Sequence, residues 1–196
     1  ECALRATERG ANTIAITNDP NSRLAKACRH TVCVGLPEGG EYFPGGTTYI
    51  ASMTALMLIA MRVGRIRETI SGESYLDMRQ ALLDYAHDFQ NEVEGYTDRA
   101  FTLAQTWKDL RAEDFIGDYS DYATAFFGSA KIIETFGGYT TYDDSEDWCH
   151  INYFLAQPET IGRVVITNPS TPSFGRMLET LNAVKLLESP CIVVSE

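Results

Sequence analysis

Short apolar or β-branched runs at residues 13–17, 31–34, 114–116, 139–142, 163–167 and 191–194 alternate with helix-forming runs along this chain. That alternation limits the possible folds more than any other feature. Strands separated by helices must be joined by crossover connections, and such strands pair in parallel with helices covering the faces of the sheet. The expected class is therefore α/β. Helical runs are predicted over 2–9, 22–28, 48–63, 122–136, 145–156 and 177–187, and residues 37–46 form a glycine-rich loop. Residues 70–111 carry Leu82, Leu83, Tyr85, Ala86 and Phe89 at helical spacing and then a second helical run, with no strand signal. They predict a helical connector between two α/β units.

Charge and cysteine usage narrow the partners. The chain has 196 residues, with 27 acidic against 16 basic ones and a formal charge of -11. It has no run of Lys or Arg, which argues against nucleic acid or an anionic membrane surface as a partner. The longest apolar run, 53–61, falls short of the ~20 residues a membrane helix needs, so no span is expected. Cys2, Cys28, Cys33, Cys149 and Cys191 form no C-x-x-C pair. Neither a zinc site nor a disulfide framework is indicated, and a reducing cytoplasm is the expected compartment. With no Walker A sequence and no G-x-G-x-x-G, nucleotide cofactors have no support, and no cofactor is expected.

Two segments offer chemistry. Gly128-Ser129-Ala130-Lys131-Ile132-Ile133-Glu134 is helical and is followed by Glu146-Asp147-Trp148-Cys149-His150. Glu134 and His150 supply a carboxylate and an imidazole, the groups needed to move a proton between adjacent carbons of a sugar and to serve its oxygens. The plainer reading makes Glu134 a solvated helix-end acid and His150 an ordinary histidine. Lys131, one turn before Glu134, either tunes it or forms a surface pair. The turn 168–176 leads from a strand into a helix and is dense in hydroxyls, at Ser170, Thr171 and Ser173. It suits an anion such as phosphate, or else Ser173 or Thr171 is simply a helix cap.

These residues carry a family resemblance. Residues 3–34, with Gly10-Ala11-Asn12-Thr13-Ile14-Ala15-Ile16-Thr17-Asn18 and Asp19-Pro20-Asn21-Ser22-Arg23-Leu24-Ala25, resemble the latter half of a SIS (sugar isomerase) domain. The segment from Gly117 to Tyr122, with 128–134, resembles the start of the second SIS domain in the isomerase part of glucosamine-6-phosphate synthases and in fructosamine-6-phosphate deglycases. The resemblance implies two three-layer αβα units. Residues 1–69 would be the C-terminal half of the first, 70–111 the connector and 112–196 an incomplete second, the chain being cut at both ends. It implies that Glu1 ends the phosphate-holding loop, that Glu134 is the base, and that His150 assists ring opening, acting across a subunit interface. It further implies a sugar 6-phosphate or its amino-acid conjugate as substrate and a homodimer or dimer of dimers. The lead-in Glu146-Asp147-Trp148 leans toward the deglycase branch. Two positions depart from the family pattern: Tyr119 stands where a second turn glycine is usual, and Thr47 where a lysine is often found. A non-catalytic sugar-phosphate sensor is the alternative function, and a mere dimerisation fragment is a third.

Overall fold

A computed structural model describes residues 1–36 and 45–195. The glycine-rich loop expected at 37–46 lies almost wholly outside the described residues. The α/β class with parallel strands is observed: among the described residues, every strand pair is parallel. The chain divides into two compact units, Glu1–Val93 and Glu94–Glu196.

In the first unit, helix α1 (Cys2–Glu8) precedes strand β1 (Ile14–Thr17), and helix α2 (Arg23–Ala27) crosses to strand β2 (His30–Cys33). β1 and β2 pair from Ile14 opposite His30 to Thr17 opposite Cys33. Ser22 caps α2 by accepting the Ala25 N–H at 3.1 Å, as its position before the helical run demands. Helix α3 (Gly46–Ile66) follows, and then helix α4 (Gly72–Trp107). The latter joins the two helical runs read from the sequence into one helix of 36 residues.

α3 corrects one expectation. Its 21 residues include a window of mean hydropathy 1.3, which is long and apolar enough to cross a bilayer. Counting an apolar run stops at polar residues such as Ser52, which a windowed average absorbs.

The second unit holds a four-stranded sheet in the order β4-β3-β5-β6, built from β3 (Ala112–Gly117), β4 (Thr140–Asp143), β5 (Ile161–Thr167) and β6 (Cys191–Ser195). Helix α5 (Ser120–Phe136) crosses from β3 to β4, helix α6 (Ser145–His150) and two short 3-10 turns lead from β4 to β5, and helix α7 (Phe174–Leu186) leads to β6. α6 is shorter than the 145–156 run predicted, because Ile151 leaves helical geometry at ψ -69 with φ -123. α5 ends where the glycine pair predicted: Gly137 adopts φ +73 and its N–H bonds to the Ile133 carbonyl at 3.0 Å.

Alternation along the strands sorts the core onto two faces. Phe115 and Val164 pack with Ala125 of α5, and Trp107 and Ile132 join them. Their neighbours Ile116 and Val165 point the other way, onto Trp148 of α6 and Met177 and Val184 of α7. α5 thus covers one face of the sheet, and α6 with α7 covers the other. Contact on the α5 face is close, since a Cβ at Gly128 would sit 2.6 Å from the Phe115 ring.

Candidate functional site

Glu134 lies in the last turn of α5, two residues before its end, with its side chain about half exposed. Lys131 Nζ forms an ion pair with it and lies 4.9 Å from the centroid of the Phe127 ring. The spacing of one helical turn brings Lys131 and Glu134 together, as the sequence suggested.

His150 ends α6, and its Nε2 is 2.9 Å from Glu146 Oε1. Glu146 Oε2 is in turn 2.8 Å from Arg176 Nε of α7, whose Nη1 donates to Glu179 at 2.8 Å. His150 therefore terminates an exposed chain of charges that ties α6 to α7. The hydrogen bond from His150, with help from the Arg176 charge, holds the Glu146 carboxyl below its usual range. No hydrogen bond or ion pair joins Glu134 to His150 among the described residues. Their helices cover opposite faces of one sheet, so a single copy of the chain does not bring these two groups onto one substrate.

The hydroxyl-rich turn after β5 is organised by Asn168. Its side-chain oxygen accepts the Ser170 N–H at 2.7 Å, and its carbonyl accepts the Thr171 hydroxyl at 2.9 Å. Ser173 occupies the position before α7 but makes no side-chain cap bond, and its Oγ is buried without a partner. Of the three hydroxyls expected to face an anion, Thr171 is thus already committed to the turn and Ser173 is turned inward. In the first unit, Glu1 stands at the start of α1, exposed and paired with Arg5 Nε at 2.9 Å.

The first turn of the second unit is strained. Tyr119, where a glycine would be usual, adopts φ +52 and ψ -118. That region is costly for any side chain with a Cβ, by about 1–3 kcal/mol. Beside it, Asp118 at the C-terminal end of β3 is 7% exposed and accepts both the Ser145 N–H and its hydroxyl at 2.8 Å. Asp118 thereby fastens the start of α6 to the end of β3.

Sequence reasoning missed a buried polar network on the α6 face. Register sets Thr141, Asp114 and Arg163 side by side across β4, β3 and β5. Asp114 accepts from Thr141 and Arg163, from Trp148 Nε1 at 2.9 Å and from Asn152 Nδ2 at 3.2 Å. Arg163 is fully buried, stands 5.3 Å from the Trp148 ring, and keeps Nε and Nη2 without partners. Burial lowers its pKa, opposed by Asp114.

Asn152 also donates to Asp143 at 2.5 Å. Burial first, and then the charges of Asp114 and Asp147, push Asp143 up to about 6. A cavity of about 360 Å³ at the N-terminal ends of β3 and β5 reaches this network through Asp114 and Thr141. The one sequence signal was an arginine opening an otherwise apolar strand, 163–167, and nothing local indicated its partner.

The described residues contain no group of three or more His, Cys, Asp or Glu side chains placed to hold a metal ion.

The fold class defined by this architecture is one found among solved sugar-phosphate enzymes. The C-terminal domain of the glucosamine-fructose-6-phosphate aminotransferase of Francisella tularensis superposes with a TM-score of 0.76 at 17% identity, over 98% of this chain and 54% of that one. The glucosamine-6-phosphate deaminase of Thermotoga maritima does so with a TM-score of 0.67 at 17% identity, over 97% and 53%. In sequence, the chain is 28% identical over 134 residues to the isomerizing glutamine–fructose-6-phosphate aminotransferase of Corynebacterium diphtheriae, matching 66% of this chain and 20% of that protein. No protein-family model matches. The chain spans about a fifth of that curated relative and about half of each solved structure. Because 98% of it is matched by one solved α/β domain, α3 falls within that shared fold.

Proposed function

We propose that this chain forms part of a sugar-phosphate-processing enzyme that enolises a ketose or ketosamine 6-phosphate between C1 and C2. Residues 1–69 contribute the latter half of a first SIS-type unit, 70–111 the connector and 112–196 a second such unit. The observation that carries the reading is Glu134. A half-exposed carboxylate ends the helix that crosses from β3 to β4, on the motif that resembles the family's base, in a fold shared with aminotransferase and deaminase structures that act on sugar phosphates.

In the proposed reaction Glu134 takes the proton from C1 of the open-chain ketose, and the electron pair forms the C1–C2 double bond as the C2 carbonyl oxygen gains a proton. The same carboxyl then returns its proton to C2 as the hydroxyl on C1 gives up its own proton and becomes the C1 carbonyl; where C1 carries an amine, its N–H proton leaves in the same way. With an amine on C1, this shift yields an imine, and water hydrolyses it to an aldose 6-phosphate and the free amine. Positioning and proton transfer supply the rate.

His150 assists ring opening. Because it lies on the face opposite Glu134, the pair is completed by a second copy of the chain, in a homodimer or dimer of dimers. The Ser170 hydroxyl is the proposed substrate contact of the second unit. The product class, isomer or freed amine, is the finer part of the proposal, and the deglycase branch is favoured by the Glu146-Asp147-Trp148 lead-in.

Proton NMR in heavy water tests this directly, with fructose 6-phosphate and fructosamine 6-phosphates as substrates. Exchange at C1 or C2 that vanishes in Glu134→Gln, with amine release from the conjugates, is the expected result. Mixing inactive Glu134→Gln and His150→Asn proteins should restore part of the activity if the pair spans two copies. Ligand line broadening without any exchange would sink the catalytic reading and leave a sugar-phosphate sensor.

A further inference from the structure

On the α5 face of the second unit, apart from the proposed chemistry, lies a cavity of about 470 Å³. That volume is in the range of small-molecule pockets. Its walls are Leu103 and Trp107 from α4, Phe115 from β3, Ile132 from α5 and Val164 from β5. Gly162 makes it possible: any Cβ there would meet the Trp107 ring at 2.6 Å, so only glycine lets the indole lie on the sheet.

Directly beside Gly162 in register, Glu113 contributes the lining's one carboxylate. Its side chain has no hydrogen bond or ion pair among the described residues, although its backbone N–H is bonded to the Tyr139 carbonyl at 3.2 Å. Burial raises its pKa, the mark of an acid that lacks a compensating partner. Lys108, the lining's cation, is exposed and forms no pair with Glu113. Its long stem lets the ammonium stand off in water.

An unpaired carboxylate set in apolar walls is complementary to one kind of small molecule, a cation carried on a compact apolar body. We propose that this cavity binds a small amphipathic primary amine, with its ammonium group on Glu113 and its apolar body against Leu103, Phe115, Ile132 and Val164. The site shares no residue with the Glu134–His150 chemistry, so it stands or falls independently of the proposed reaction.

The chain has two tryptophans, Trp107 on the cavity and Trp148 buried on the other face, so the indole N–H resonances of ¹⁵N-labelled protein report on it selectively. Titration with benzylamine should move the Trp107 resonance saturably and leave that of Trp148 in place. Benzyl alcohol, which has the same body without the charge, should bind at least fivefold more weakly, and phenylacetate should not bind. Glu113→Gln should reduce benzylamine affinity to that of the alcohol. Leu103→Phe, which fills the cavity and leaves Glu113 intact, should abolish binding of both benzylamine and benzyl alcohol, so the test survives if the glutamine variant fails to fold. The proposal is overturned if benzylamine gives no saturable shift, if the alcohol or the Glu113→Gln protein binds as well, or if phenylacetate binds more tightly through Lys108.

Discussion

Replacing Asp114 by asparagine would test whether the second unit is organised around its buried charge pair. The change preserves shape and removes one charge, and it leaves the fully buried Arg163 guanidinium facing only the Trp148 ring and a neutral amide. Breaking a buried pair from one side costs about 3–5 kcal/mol, because the remaining charge is neither solvated nor neutralised. Two of the Arg163 nitrogens already lack partners, so the structure has no spare acceptor to offer it. Arg163→Met should cost a similar amount by stranding Asp114, which would keep only its neutral donors Thr141, Trp148 and Asn152. The double variant removes both charges and should lose at least ~2 kcal/mol less than the sum of the two single changes. Urea unfolding followed by tryptophan fluorescence reads this, and at a slope of about 2 kcal/mol per molar each single variant shifts the midpoint by roughly 2 M. Single variants that cost under about 1 kcal/mol, or effects that add within ~0.5 kcal/mol, would refute the reasoning.

Asp143 should make the second unit less stable as pH rises. Its folded pKa of about 6 lies above its ordinary value of 3.8. The folded state therefore binds more protons than the unfolded one between those values, and stability falls as pH rises through that window. Asp143→Asn should flatten the profile, which urea midpoints from pH 4 to 7 will show. Tyr119→Gly should stabilise by about 0.5–1 kcal/mol, relief of the positive-φ strain outweighing the added chain entropy of glycine, and thermal unfolding with an unchanged or lowered midpoint would contradict this. Gly128→Ala should cost about 1–3 kcal/mol by forcing α5 off the Phe115 ring, measured by the same melt, and a neutral result would mean that the helix shifts freely.

Much of this protein's local structure was legible in its residues. The alternation of strand and helix runs implied parallel sheets because strands joined through helices have no hairpin route to antiparallel pairing. Ser22 and Gly137 marked a helix start and a helix stop through chemistry that acts within a few residues. The pairing of Lys131 with Glu134 followed from helical spacing alone.

What the residues by themselves left open was which side chains meet across the strands. Asp114 meets Arg163 across 49 positions of sequence and Thr141 across 27, and only the strand register makes them neighbours. A slip of one residue would have turned each to the opposite face, because side chains alternate along a strand. The separation of Glu134 from His150 has the same origin. Their spacing along the chain suited a shared site, but β4 lies between them, and the crossover places α5 on one face of the sheet and α6 on the other. Sequence periodicity records which side of an element is apolar, whereas the face of the sheet that the element covers is decided by the path of the chain through the sheet, a property that exists only once the strands have paired.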